Sequence, residues 1–118
     1  MIGKLLSTAL IAMTVLSSLS TAQADTRTRV CQPVEVAVFQ NRLHVRCAPI
    51  SEQAYTSDIR YYAMKLDNSV QVQATLDLLL MAKANNRALA IRFDEGDYQS
   101  VPGCQGGDCR RLVWAAMR

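Results

Sequence analysis

The chain has 118 residues, half of them hydrophobic, with 13 Lys and Arg against 10 Asp and Glu, four cysteines and a single histidine. That length suits one domain with a modest core. A formal net charge of +3 gives no basis for a nucleic-acid or polybasic membrane partner, either of which needs cations gathered on one surface.

The first residues, MIGKLLSTALIAMTVLSSLSTAQA, set Lys4 before an uncharged apolar stretch from Leu5 to Leu16 and end on Ala22-Gln23-Ala24. This is the layout of a secretory signal peptide, with cleavage expected after Ala24. It divides the chain into a leader, 1–24, and a single domain, 25–118. The apolar stretch is shorter than the roughly 20 residues that cross a membrane, and the first cysteine, Cys31, is too distant to carry a lipid. The mature protein is therefore expected to be exported, periplasmic or secreted, with no membrane span. Losing Lys4 leaves 12 cations against 10 anions. Four cysteines in an exported chain read as two disulfides, which a small core needs.

VEVAVFQNRLHVRC alternates with period two. Val34, Val36 and Val38 share one face, Leu43, Val45 and Cys47 share one face of the next strand, and Glu35, His44 and Arg46 take the opposite faces. Gln40-Asn41 between them predicts a two-residue hairpin loop, because only an even loop sets Val38 against Leu43 and Val36 against Val45. After the polar SEQAYTSD, the run IRYYAMKLD reads as a third strand. Asn68, with Gln71 three residues on, has capping-box spacing, so a helix is expected over 70–85, ending at Asn85-Asn86 with Asn in the left-handed position. Val72, Leu76, Leu79 and Leu80 make its apolar stripe, while Leu78, Met81 and Ala82 widen the arc beyond one buried face. RALAIRFD is a fourth strand, with Leu89, Ile91 and Phe93 on one face. Residues 95–110 form a loop punctuated by Gly96, Pro102-Gly103 and Gly106-Gly107, and RLVWAAMR is a fifth strand.

Three strands, a helix and two strands is the order of the OB-fold, a small five-stranded Greek-key barrel. The fold class expected is mainly β with one helix, a five-stranded barrel or an open sheet of the same order. With Cys31 and Cys47 around the first hairpin, the helix ATLDLLLMAKANN running into RALAIRF, and CQGGDC near the end, the chain resembles the B subunits of bacterial toxins that join one active chain to five receptor-binding chains, the subtilase-cytotoxin and pertussis-like group. The resemblance implies an exported OB-fold domain with disulfides Cys31–Cys47 and Cys104–Cys109, one of three possible pairings. It also implies a glycan or cell-surface ligand, and a homo-oligomer built through the helix. The chain departs from that group in its full strand after Cys109 and in having no serine over Asp25 to Val30.

The crowded GCQGGDCRR stretch is better read as a staple than as a site of chemistry. Cys-x4-Cys with two distant cysteines does not match zinc spacing. It also lacks the Cys-x-x-Cys at a helix start that redox pairs use. Gln105-Gly106-Gly107-Asp108 gives Cys104 and Cys109 room to reach disulfide distance. His44 is expected to be a solvated or hydrogen-bonded surface residue, and Asp94, Glu95 and Asp97 a solvated turn without calcium-loop spacing. No phosphate-cradling glycine loop precedes a helix. No enzyme activity, metal or cofactor is expected.

The expected function is a binding module for a glycan or cell-surface component. Its ligand-binding candidates are Tyr98, Gln105, Asp108, Arg110 and Arg111 on the long loop and last strand, Tyr61 or Tyr62 on the third strand, and Tyr55, Ser57 and Asp58 before it. The alternative is a periplasmic protein that binds or inhibits an envelope protein with the stapled loop as a wedge. Single-stranded nucleic acid, the generic OB-fold ligand, is disfavoured by export and by the low net charge.

Overall fold

The computed structural model describes residues 25–49 and 59–118. The expected leader and the candidates Tyr55, Ser57 and Asp58 lie outside the described residues. Six strands and one helix follow in the order β1 (Thr26–Cys31), β2 (Pro33–Phe39), β3 (Arg42–Cys47), β4 (Tyr61–Lys65), α1 (Val70–Ala84), β5 (Leu89–Asp94) and β6 (Cys109–Met117). They form one mixed sheet in the order β1-β5-β6-β4-β3-β2, antiparallel throughout except for the parallel pair β4 and β6. The fold is mainly β with one helix and two disulfides, Cys31–Cys47 and Cys104–Cys109.

Two features differ from the five-stranded barrel. A further strand, β1, precedes the first one expected, and hydrogen bonding does not close the sheet. β1 and β2 are its outer strands, yet only Gln32 separates them in the chain. Pro33 has no N–H to continue a ladder, so the segment divides there, its first part pairing with β5 and its second with β3. Cys31, just before this break, stays in the ladder opposite Leu89. The two outer strands are tied where they meet. Cys31–Cys47 joins the end of β1 to the end of β3, Ala48 N–H donates to the Gln32 carbonyl at 2.9 Å, and Arg29 Nη1 donates to the Tyr62 hydroxyl at 2.9 Å.

The β2–β3 hairpin has the expected register, Val36 opposite Val45 and Val38 opposite Leu43. Gln40 and Asn41 have φ of 52° and 63°, the left-handed pair that a two-residue hairpin turn requires. Val34 does not share the face of Val36 and Val38, because a bulge between Pro33 and Glu35 leaves it out of register and exposed.

The helix begins at Val70, as expected, but its cap is a different residue. Ser69, not Asn68, is the N-cap, its Oγ accepting from Val72 N–H at 3.2 Å. Asp67 Oδ1 accepts from Ser69 N–H, and the hydrogen bonds from Ser69 hold the Asp67 carboxyl below its ordinary value. At the other end Asn86 is left-handed at φ 53°. Asn86 N–H donates to the Lys83 carbonyl and Arg87 N–H to that of Ala82, the two bonds of a Schellman motif. The face that α1 buries is Val72, Thr75, Leu79 and Ala82. Leu80 leaves the predicted stripe and is 47% exposed, as Met81 is at 49%. The main core lies between this helix face and the inner face of the sheet, where Leu43, Val45, Tyr62, Leu89, Ile91, Phe93 and Leu112 meet.

Candidate binding face

The outer face of the sheet carries a second, smaller cluster. Ala63 on β4 is covered by Val101, Cys104 and Cys109, with Tyr61 and Tyr98 packed around them. The β5–β6 loop therefore lies over the sheet rather than projecting from it. Several bonds hold it down. The Asp108 carbonyl accepts from the N–H groups of Arg60 and Tyr61, both at 3.0 Å, and Arg111 N–H donates to the Asp97 carbonyl at 2.8 Å. The Gln105 carbonyl accepts from Asp108 and Cys109 N–H, closing the turn that the Cys104–Cys109 bridge spans.

Both arginines of GCQGGDCRR are committed to this loop. Arg110 donates to the carbonyls of Glu95, Gly106 and Cys109, each at 2.7 Å, with its guanidinium 5.5 Å from the centre of the Tyr98 ring. Arg111 Nε donates to Asp97 Oδ2 at 2.8 Å and Nη2 to Asp94 Oδ2 at 3.2 Å. The acidic stretch is thus clamped rather than solvated, and Asp94 is buried. At Asp97 burial pushes the carboxyl pKa up, but hydrogen bonds from Ser100 and Arg111, with the Arg111 charge, outweigh that and hold it below the ordinary value.

Next to the loop, the hairpin register aligns the outward side chains of β2 and β3 in opposed pairs: Glu35 with Arg46, Ala37 with His44, and Phe39 with Arg42. His44 sits between two rings, edge-on to Phe39 and to Tyr61, both at 5.1 Å between centroids. It was expected at the surface; the structure buries it to 3% exposure. Its Nε2 lies 2.7 Å from Glu35 Oε1 and its Nδ1 3.4 Å from Arg42 Nη2. The Arg42 guanidinium also packs over Phe39 at 4.8 Å and donates from Nη1 to the Pro102 carbonyl at 3.1 Å. Hairpin and loop thus meet above the outer ends of β2, β3 and β4.

Of the residues singled out from the sequence, Tyr61, Tyr98, Gln105, Asp108, Arg110 and Arg111 come together around this loop. Tyr62 does not. It is 2% exposed on the inner face, its ring 4.8 Å from that of Phe93, because adjacent residues of a strand point to opposite faces. Glu35, Phe39, Arg42 and His44 were not among the candidates. The hairpin register already paired them on one face; that the loop would fold down beside them depended on contacts between distant segments.

Among the described residues no three His, Cys, Asp or Glu side chains are grouped so as to hold a metal ion, and no helix is long and apolar enough to cross a membrane. Two buried disulfides fit an oxidising compartment. Compared with protein-family models, curated proteins and solved structures, the chain matches none.

Proposed function

We propose that the protein is an exported, non-enzymatic binding module that holds a glycan or cell-surface component against the outer face of β3 and β4, between the β2–β3 hairpin and the β5–β6 loop. The observation that carries this reading is the ring row Phe39–His44–Tyr61 laid across three strands, with the half-buried Tyr98 and the exposed Gln105 in the adjoining loop and Glu35 and Arg46 at its margin. Aromatic faces stack on sugar rings while such polar groups select hydroxyls. In OB-folds the same strands and loops flank the ligand face. Counting β1 and β2 as one bent strand supports an OB-type reading here, since that strand then neighbours both β3 and β5. The resemblance to toxin B subunits is consistent with it.

The non-catalytic part of the proposal is supported by the engagement of the reactive groups. Both nitrogens of His44 have protein partners, and Asp94 and Asp97 are taken by Arg111. The loop's position also favours a binding face over an inhibitory wedge, because the loop is bonded down to the sheet.

The test is a titration of the protein, followed in 1H–15N spectra, with sialyllactose and with lactose. Shifts confined to Phe39, Tyr61, Tyr98 and Gln105 are expected with at least one of them. Perturbation centred elsewhere, or none with either sugar, overturns the reading. The exposed helix residues Val70, Leu80 and Met81 supply an apolar surface for the proposed homo-oligomer. Native mass spectrometry of the secreted form is expected to give a multiple of the monomer mass that Leu80→Asp reduces to the monomer; a monomer at the outset overturns the assembly.

A further inference from the structure

We propose that His44 is a proton-sensitive latch holding the tip of the β5–β6 loop. An arginine guanidinium can only donate hydrogen bonds, so the contact of Arg42 Nη2 with His44 Nδ1 at 3.4 Å requires an unprotonated Nδ1. The proton of the neutral ring is then on Nε2 and is donated to Glu35 Oε1 at 2.7 Å. The same guanidinium grips the loop tip through the Pro102 carbonyl. Gly103 lies so close that a Cβ there would stand 2.7 Å from Arg42 Nη1 and 3.0 Å from Gln40 Oε1. Donation therefore runs outward from Arg42, one way to the Pro102 carbonyl of the loop tip and the other through His44 to Glu35.

A second proton on the ring has only Nδ1 to occupy. It removes the acceptor for Arg42 Nη2 and sets an imidazolium against a guanidinium, while the bond from Nε2 to Glu35 survives and gains charge assistance. Arg42 is 9% exposed, and its Nε already has no hydrogen-bond partner. Losing the His44 contact leaves a second nitrogen of this buried cation unpaired, which is costly enough to turn the guanidinium outward and free the Pro102 carbonyl.

The groups facing the ring from the packed elements are Glu35 and Phe39 on β2, Arg42 on β3 itself, and Tyr61 on β4. Arg46 lies further along β3, opposite Glu35 and Tyr61. From β6, Arg111 stands in the same cross-strand row beyond Ala63, its guanidinium tied to Asp94 and Asp97. The latch concerns the position of the loop and holds whatever ligand the face takes.

The experiment follows backbone amides, the Arg42 Nε–H and the His44 ring by NMR from about pH 8 down to about pH 5, the interval in which imidazoles change charge. The amides of Gly103 and Gln40 and the Arg42 signal are expected to shift with the midpoint of the His44 ring. Glu35→Gln is expected to move that midpoint to lower pH, and His44→Gln to abolish the shift. A ring that titrates while Gly103 stays still overturns the latch, as does a ring that stays neutral throughout. So does a Gly103 shift that persists in His44→Gln. Should that variant fail to fold, Glu35→Gln decides, because an unmoved midpoint also overturns the proposal.

Discussion

Gly106 stands where the Tyr98 ring leaves no room for a side chain, since a Cβ there would meet Tyr98 Cζ at 2.9 Å, whereas at Gly107 nothing lies within 4 Å. Gly106→Ala must displace the ring on which Arg110 rests and is expected to cost about 1–3 kcal/mol, the usual range for overpacking. Gly107→Ala should stay within about 0.5 kcal/mol of wild type. Paired urea denaturation curves test the contrast. Asp97 sets a pH dependence at the same scale. Its folded-state pKa is depressed, so its stabilisation is fully present above the ordinary aspartate range and is lost as pH falls through the lowered value. The stability difference between wild type and Asp97→Asn should therefore be largest near neutrality and vanish in acid; a difference that does not change with pH contradicts the Arg111 and Ser100 account.

The helix shows how local and tertiary signals divide at the scale of an element. Ser69→Ala removes the acceptor for Val72 N–H and should cost about 1 kcal/mol in chemical denaturation, whereas Asn68→Ala at the residue first expected to cap should cost little. Neighbouring leucines separate further. Leu79 is 0% exposed, so Leu79→Ala should cost about 3 kcal/mol through lost burial and a residual cavity. Leu80→Ala should change monomer stability by no more than about 0.5 kcal/mol. Similar losses at both positions would mean that α1 buries a different face. The β2–β3 hairpin is the opposite case, its register following from alternation and a two-residue turn without any help from the rest of the chain.

For the whole molecule, the decisive feature is the meeting of β1 and β2, the first and last strands of the sheet order, at Gln32. No ladder closes the sheet there, so the Cys31–Cys47 bridge and the Arg29–Tyr62 bond hold the ends together. Replacing Cys31 and Cys47 by Ala opens a loop of sequence separation 16 and should cost about 3 kcal/mol. Replacing Cys104 and Cys109, of separation 5, should cost about 2 kcal/mol. Thermal and urea unfolding of the two double variants measures this order. Losses in the reverse order would show that the short bridge constrains more of the fold than its own loop. The consequences should also differ in place, with amide exchange rising across β1 and β5 in the first variant and within the β5–β6 loop in the second.

Period-two alternation, Asn41 at the turn, Asn86 at the helix end and the apolar sets Leu43/Val45 and Leu89/Ile91/Phe93 determined β2, β3 and β5, the helix and the hairpin register from sequence alone, because these depend on neighbours within a few residues. The same reasoning had Cys104–Cys109 as a staple and offered Arg110 and Arg111 as ligand-binding candidates. Only the tertiary structure decided that they serve the loop, that β1 is a separate strand, that Tyr62 faces inward while Tyr61 faces out, and that His44 is buried between Glu35 and Arg42. Several of those outcomes rest on contacts between segments distant in sequence, such as Arg42 with Pro102 or β1 with β5. Local periodicity fixes which face a residue takes; what covers that face is set by where the rest of the chain folds.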